Sequence, residues 1–350
     1  MSMSKTNSGN FFEDFRMGQV LEHATPRTVT VGDAALYQAL YGGRFALQSS
    51  DEFARTHGFP RAPLDDFLAF HVVFGKTVPD ISLNAVANLG YADCRFLAPV
   101  YPGDTLKAVS EVIGLKENSN KETGVVYVRS RGTNQKGAVV LDYVRWVMVR
   151  KRTVEAAAPD EHVPALPKAV TADRLAVAAD VKFTALDSDL SGSRHLWGDY
   201  EPGEKIDHVD GITIEEAEHM LATRLYQNTA KVHFNQFTEG KGRFGRRLIY
   251  GGHVISLARS LSFNGLGNAF QIAAINGGRH VAPCFAGNTV FAWSEILERA
   301  ELPGRADLGA LRIRTIATRD LPCTEFPGAV DKGYADGVIL DLDYWVLIPR

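Results

Sequence analysis

His233 follows Asn228 by five residues in "NTAKVH", and the chain then reads "YGGHVISLA", with Gly251 and Gly252 ahead of an apolar run. An imidazole with an unperturbed pKa of about 6.5 exchanges protons with water near neutral pH. The Asn228 carboxamide can hold a water molecule but cannot accept its proton as a base. Glycines that open a helix leave first-turn amides free, and those amides suit a developing negative charge. Each residue also has a plainer role open to it. His233 could be a satisfied core histidine, Asn228 a turn residue bonded to its own backbone, and the glycines a sharp entry into a helix. Between them, "GKGRFGRR" supplies Lys241, Arg243, Arg246 and Arg247, either as a solvated basic loop or as contacts for phosphate or carboxylate groups. Its GxGxxG spacing lacks the βαβ setting and the following acid of a dinucleotide site.

The elements that position these residues are written twice. "RFLAPVYPGDTL" (95–106) recurs as "RHVAPCFAGNTV" (279–290), and "DFRMGQVLEH" (14–23) as "DYEPGEKIDH" (199–208). "VVLDYVRWVMV" (139–149) matches "VILDLDYWVLI" (338–348) at a larger offset, so the second copy carries about 15 extra residues, expected in the Gly/Pro-rich stretch 321–337. Each copy runs as a short strand, a short helix, an irregular polar segment, a strongly apolar helix and then strands. In the second apolar helix Val254, Ile255, Leu257, Ala258 and Leu261 fall at helical spacing, and Gly265 is expected to end it as a left-handed cap. An apolar helix followed by antiparallel strands able to wrap it predicts an α+β layer arrangement. The boundaries expected are 1–152 for the first copy, 153–190 for a surface linker and 191–350 for the second.

The bulk numbers agree with two units: 350 residues exceed what one core usually supports. A formal net charge of -3 gives no footprint for nucleic acid or an anionic membrane. No apolar run reaches the roughly 18 residues of a membrane span, and the amino terminus lacks a secretory pattern. Three cysteines without CxxC spacing predict free buried thiols in a reducing, cytoplasmic setting and no metal site.

The order of elements, "FEDFRMG" near the start and the duplication resemble the MaoC-like (R)-specific enoyl-CoA hydratases of the double hot dog type. The resemblance implies two tandem hot dog repeats, each an antiparallel sheet wrapped around a central helix. It implies reversible hydration of a branched α,β-unsaturated acyl-CoA, mesaconyl-CoA to β-methylmalyl-CoA in particular, with no cofactor beyond the CoA of the substrate. His233 matches the family's catalytic histidine and Gly252 its thioester-polarising glycine, with Gly251 beside it. Asn228 stands where the family has Asp, and Ala230 where it commonly has Asn. Either His233 is then the sole acid/base or a carboxylate such as Asp65 or Asp66 substitutes. In the first copy Gly43, Phe45 and Gln48 occupy the motif positions, so one active site per chain is expected. A substrate with a second carboxylate calls for an arginine in the pocket, expected from Arg243, Arg246, Arg247 or Arg279. A homodimer is expected. A hot dog thioesterase and a non-catalytic acyl-CoA-binding subunit are the alternatives.

Overall fold

Alternation sets the strands: from Leu106 to Val112, Leu106, Ala108, Ser110 and Val112 are buried, while Lys107, Val109 and Glu111 are exposed. One face of a pleated strand therefore looks inward and the other outward. The computed structural model describes residues 5–178, 180–184 and 186–350. The first half contributes β1 (Val20–Thr28), β2 (Ala85–Phe96), β3 (Thr105–Glu117), β4 (Thr123–Thr133) and β5 (Val139–Arg150). The second contributes β6 (Lys205–Thr213), β7 (Gln271–His280), β8 (Thr289–Leu302), β9 (Arg305–Arg319) and β12 (Val338–Pro349). These form one sheet in the order β1-β3-β4-β5-β2-β7-β12-β9-β8-β6, every neighbouring pair antiparallel. The second half mirrors the first, and the two join through β2 and β7, where Tyr91 opposes Gly278 and Arg95 opposes Ala274. The late insertion carries a small separate hairpin of β10 (Ala329–Val330) and β11 (Gly333–Tyr334).

One apolar helix lies against each half-sheet. Asp66–Thr77 is capped by Asp65, whose carboxylate accepts from the Phe67 amide, and Phe67 through Thr77 are all buried. Gly251–Leu261 buries the five residues its spacing predicts. It ends one turn earlier than expected, with Ser262 as its right-handed C-cap. Gly265 does take a left-handed conformation, φ +108°, but after a further short turn, and a Cβ there would lie 2.5 Å from Ile206. The two central helices meet across the pseudo-symmetry, where His71 Nε2 and Ser256 Oγ are 3.0 Å apart and the Tyr37 hydroxyl donates to the same oxygen. A single apolar cluster accordingly runs through both halves.

The described residues of 153–190 contribute no strand, although they are more than a surface strap. Val170, Val181 and Phe183 are buried in a second cluster, and Val170 is held by Asn276 Oδ1 and the Trp345 indole. His23 and His208, which end the first repeated anchor, each bond a buried serine, Ser110 and Ser294, and serve the architecture of both copies alike. Cys94, Cys284 and Cys323 are free and buried. Among the described residues no helix is long and apolar enough to cross a membrane.

Candidate active site

A cavity of about 350 Å³ opens between the halves. Its second-half wall comes from the segment after the helix Glu216–Leu225, from the start of the central helix and from the end of β7. Its first-half wall comes from β2, β5 and the end of Asp66–Thr77.

His233 stands on the wall, in the single helical turn Lys231–Phe234. Its Nδ1 lies 3.0 Å from the Leu248 carbonyl oxygen. A carbonyl only accepts, so Nδ1 carries the proton and Nε2 keeps a free lone pair. Burial holds the imidazole down to about 4, against the partial support of the Leu248 bond, so it is neutral at physiological pH. Asn228 is buried and also lines the cavity. Its Oδ1 accepts from the Ala230 amide at 3.1 Å, the turn bond to its own backbone, which leaves its NH₂ group for a ligand or water.

The helix start is resolved between the two glycines. Gly251 lines the cavity, and a Cβ there would lie within 2.5 Å of the His280 ring. Gly252 faces the interior, where a Cβ would meet Tyr250 and His71. Of the two glycines expected at the site, Gly251 is on the cavity wall and Gly252 lies behind it, because the phase of a helix start is not fixed by a Gly-Gly pair. The helix has no side-chain cap, and the Tyr250 amide before it is already taken by His219 Nε2 at 2.9 Å. The first-turn amides therefore present their positive end to whatever enters.

His280 is a cavity residue that the sequence did not single out. Burial, with the neighbouring His233, keeps it at about 4 and neutral. A signal existed: the repeated template has Phe96 where the second copy has His280, an apolar residue exchanged for a titratable one in an otherwise matched stretch. His253, by contrast, bonds Tyr41 in the interior at 2.8 Å.

None of the four expected arginines lines the cavity. Arg247 is paired with Glu216 at 3.1 Å. Arg243 and Arg246 are exposed and lie over the Phe244 and Phe285 rings. Arg279 is exposed on β7. Among the described residues the one arginine on the wall is Arg145 of β5, from the first half. Asp65 and Asp66 also lie elsewhere: Asp65 caps its helix, and Asp66 accepts from the Ile272 amide at 2.8 Å. Among the described residues the cavity wall holds no carboxylate. The motif positions of the first half are closed off, since Gln48 donates to the Phe270 carbonyl, Phe45 is buried under Arg259, and the space beside Gly43 amounts to about 20 Å³.

Comparisons with known proteins give the family. The chain is 64% identical over 348 residues to β-methylmalyl-CoA dehydratase of Chloroflexus aurantiacus, covering 99% of both. It is 61% identical to mesaconyl-CoA hydratase of Cereibacter sphaeroides, covering 99% of this chain and 100% of that one. A solved MaoC domain dehydratase from Chloroflexus aurantiacus superposes with a TM-score of 0.97 at 63% identity over 99% of each chain. A Mycobacterium tuberculosis protein with a double hot dog fold superposes at 0.74 with 24% identity over 98% of this chain and 99% of that one, a likeness of fold alone. The family profile described as mesaconyl-CoA hydratase matches residues 2–323. The chain belongs to the mesaconyl-CoA hydratase family, with the double hot dog fold that the resemblance implies.

Proposed function

We propose that this protein catalyses the reversible hydration of mesaconyl-CoA to β-methylmalyl-CoA in the cavity between its halves. The carrying observation is a neutral imidazole with a free Nε2 on the same wall as an uncapped helix start, with no carboxylate beside them. Hydration of an enoyl thioester needs a base for water, a donor at the thioester oxygen and a proton for the α-carbon.

His233 Nε2 takes a proton from water as the hydroxyl oxygen bonds to the β-carbon. The π electrons move toward the thioester oxygen, and the amide of Gly251 stabilises the enolate. The imidazolium returns its proton to the α-carbon, which restores the neutral imidazole and completes addition of one water. Asn228 orients that water through its NH₂ group. The step is redox neutral and uses no metal or redox cofactor. Arg243 lies over Phe244, which is exposed and lines the cavity, and Arg246 over Phe285, which packs against Phe244; both offer their charge to the CoA phosphates.

Hydrolysis of the thioester fits this wall poorly. It lacks a carboxylate, and burial pushes the Cys284 thiol up to about 11, so no thiolate nucleophile stands there at neutral pH. The test is absorbance at the enoyl thioester band with mesaconyl-CoA, run beside a free-thiol assay. Loss of the band without thiol release is expected. Thiol release would establish a thioesterase, and tight binding with an unchanged band would establish a non-catalytic acyl-CoA binder.

A further inference from the structure

Arg145 has no structural partner for its charge. Its side chain is fully buried on the cavity wall, its guanidinium 4.3 Å over the Phe74 ring. Nη2 donates to Thr77 Oγ1 at 2.8 Å and to Ser82 Oγ at 2.9 Å, while Nε and Nη1 have no partner at all. The other fully buried central arginine, Arg259, has Asp65 and Asp66 in electrostatic reach. Around Arg145 the nearby titratable groups are the tyrosines Tyr143, Tyr91 and Tyr250. Buried charges are ordinarily paired, so an unpaired guanidinium with free donors on a cavity wall is placed to receive an anion.

The neighbours repeat the pattern. Tyr91 of β2 is directly opposite Arg145 of β5, and Asn88 opposite Val147, two residues along, so all four share one face of the sheet. Tyr91 Oη and both side-chain polar atoms of Asn88 are likewise buried without partners, and both residues line the cavity. Three hydrogen-bonding side chains thus converge with open valences and no anion among them. The distance to the reactive end is short. The His280 ring, which packs on Gly251, is 6.1 Å from the Tyr91 ring, and Tyr91 adjoins Arg145 across the strand pair.

We propose that Arg145, with Asn88 and Tyr91, forms the subsite for the free carboxylate at the far end of the acyl group. Nε, Nη1, the Asn88 amide and the Tyr91 hydroxyl donate to its two oxygens. The assignment rests on the hydratase function proposed above and adds the source of its selectivity: the half without an acid/base pair supplies the charge that selects a dicarboxylic acyl chain. The equivalent position of the second half, in β12, is Tyr344. A site built to bond a polar group rejects the analogue that lacks it far more strongly than an apolar pocket rejects an extra methylene.

The test compares mesaconyl-CoA with tiglyl-CoA, which carries a methyl group in place of the carboxylate, for wild type, Arg145→Met and Tyr91→Phe. Wild type is expected to favour mesaconyl-CoA strongly in kcat/KM. Arg145→Met is expected to lose about 10²-fold or more on mesaconyl-CoA and to change less than about tenfold on tiglyl-CoA, and Tyr91→Phe to show a smaller loss confined to mesaconyl-CoA. Circular dichroism and thermal melts establish that each variant is folded; if Arg145→Met is not, Tyr91→Phe carries the comparison. Equal losses on both substrates would overturn the subsite while leaving the hydratase function intact. A wild type that hydrates tiglyl-CoA as well as mesaconyl-CoA would overturn the substrate itself.

Discussion

His233→Ala is expected to lower kcat for hydration by about 10²- to 10⁴-fold, the range of a lost general acid/base. Binding of the thioester should stay near wild type, because the Leu248 carbonyl and the helix start are main-chain features that the substitution leaves in place. KM should therefore move little while kcat collapses, the pattern of a group that acts in the transition state. The pH profile adds a second signature. With its pKa held at about 4, the imidazole is almost wholly in its base form from pH 6 upward. The wild-type hydration rate should stay level from pH 8 to pH 6, whereas an unperturbed histidine would have lost about half its base form by pH 6.5. Steady-state kinetics across that interval check both points. A His233→Ala enzyme with undiminished kcat would remove this residue from the mechanism.

Gly251→Ala is expected to cost about 10²-fold in kcat without unfolding the chain, the scale of a displacement of about 1 Å at a reacting centre. The added methyl would fall within 2.5 Å of all three nearest ring atoms of His280, too close for any real contact. Either the imidazole swings away or the helix start retreats, and both changes reshape the wall where the thioester must lie. Gly252→Ala would press on Tyr250 and His71 instead, inside the core, so its effect should appear in the melting temperature. Kinetics and melts on the two variants separate a site residue from a packing residue. A Gly251→Ala enzyme with wild-type kcat would place the thioester elsewhere.

Duplication made the architecture readable. A template written twice, with Ala-Pro and a glycine at matching places, exposes the period of the fold, and Gly103 and Gly287 both adopt positive φ where the template bends. His233 was singled out by the family motif that its surroundings resemble, and at that motif's place in the other copy Gln48 tethers the Phe270 carbonyl. The cavity's other end was not readable. β5 is buried on both faces, with Val144 as inaccessible as Arg145, so alternation no longer tells inward from outward. An arginine there reads as solvent-facing until the pairing of β2 with β5 closes around it. The exposed arginines drew attention instead, because four cationic groups near the central helix look like a binding patch in one dimension. Only the tertiary arrangement shows that Arg247 is already paired and that the charge within the cavity comes from a residue 88 positions before His233 in the chain.

In the proposed reaction one ligand spans both halves, its thioester at the second and its acyl end at the first. A crystal structure with bound β-methylmalyl-CoA tests it most directly. The thioester oxygen is expected within hydrogen-bond distance of the Gly251 amide, the β-hydroxyl facing His233 Nε2 and the free carboxylate against Arg145. An acyl group lodged beside Gly43 and Gln48 in the first half, or one whose thioester lies away from the start of Gly251–Leu261, would contradict it.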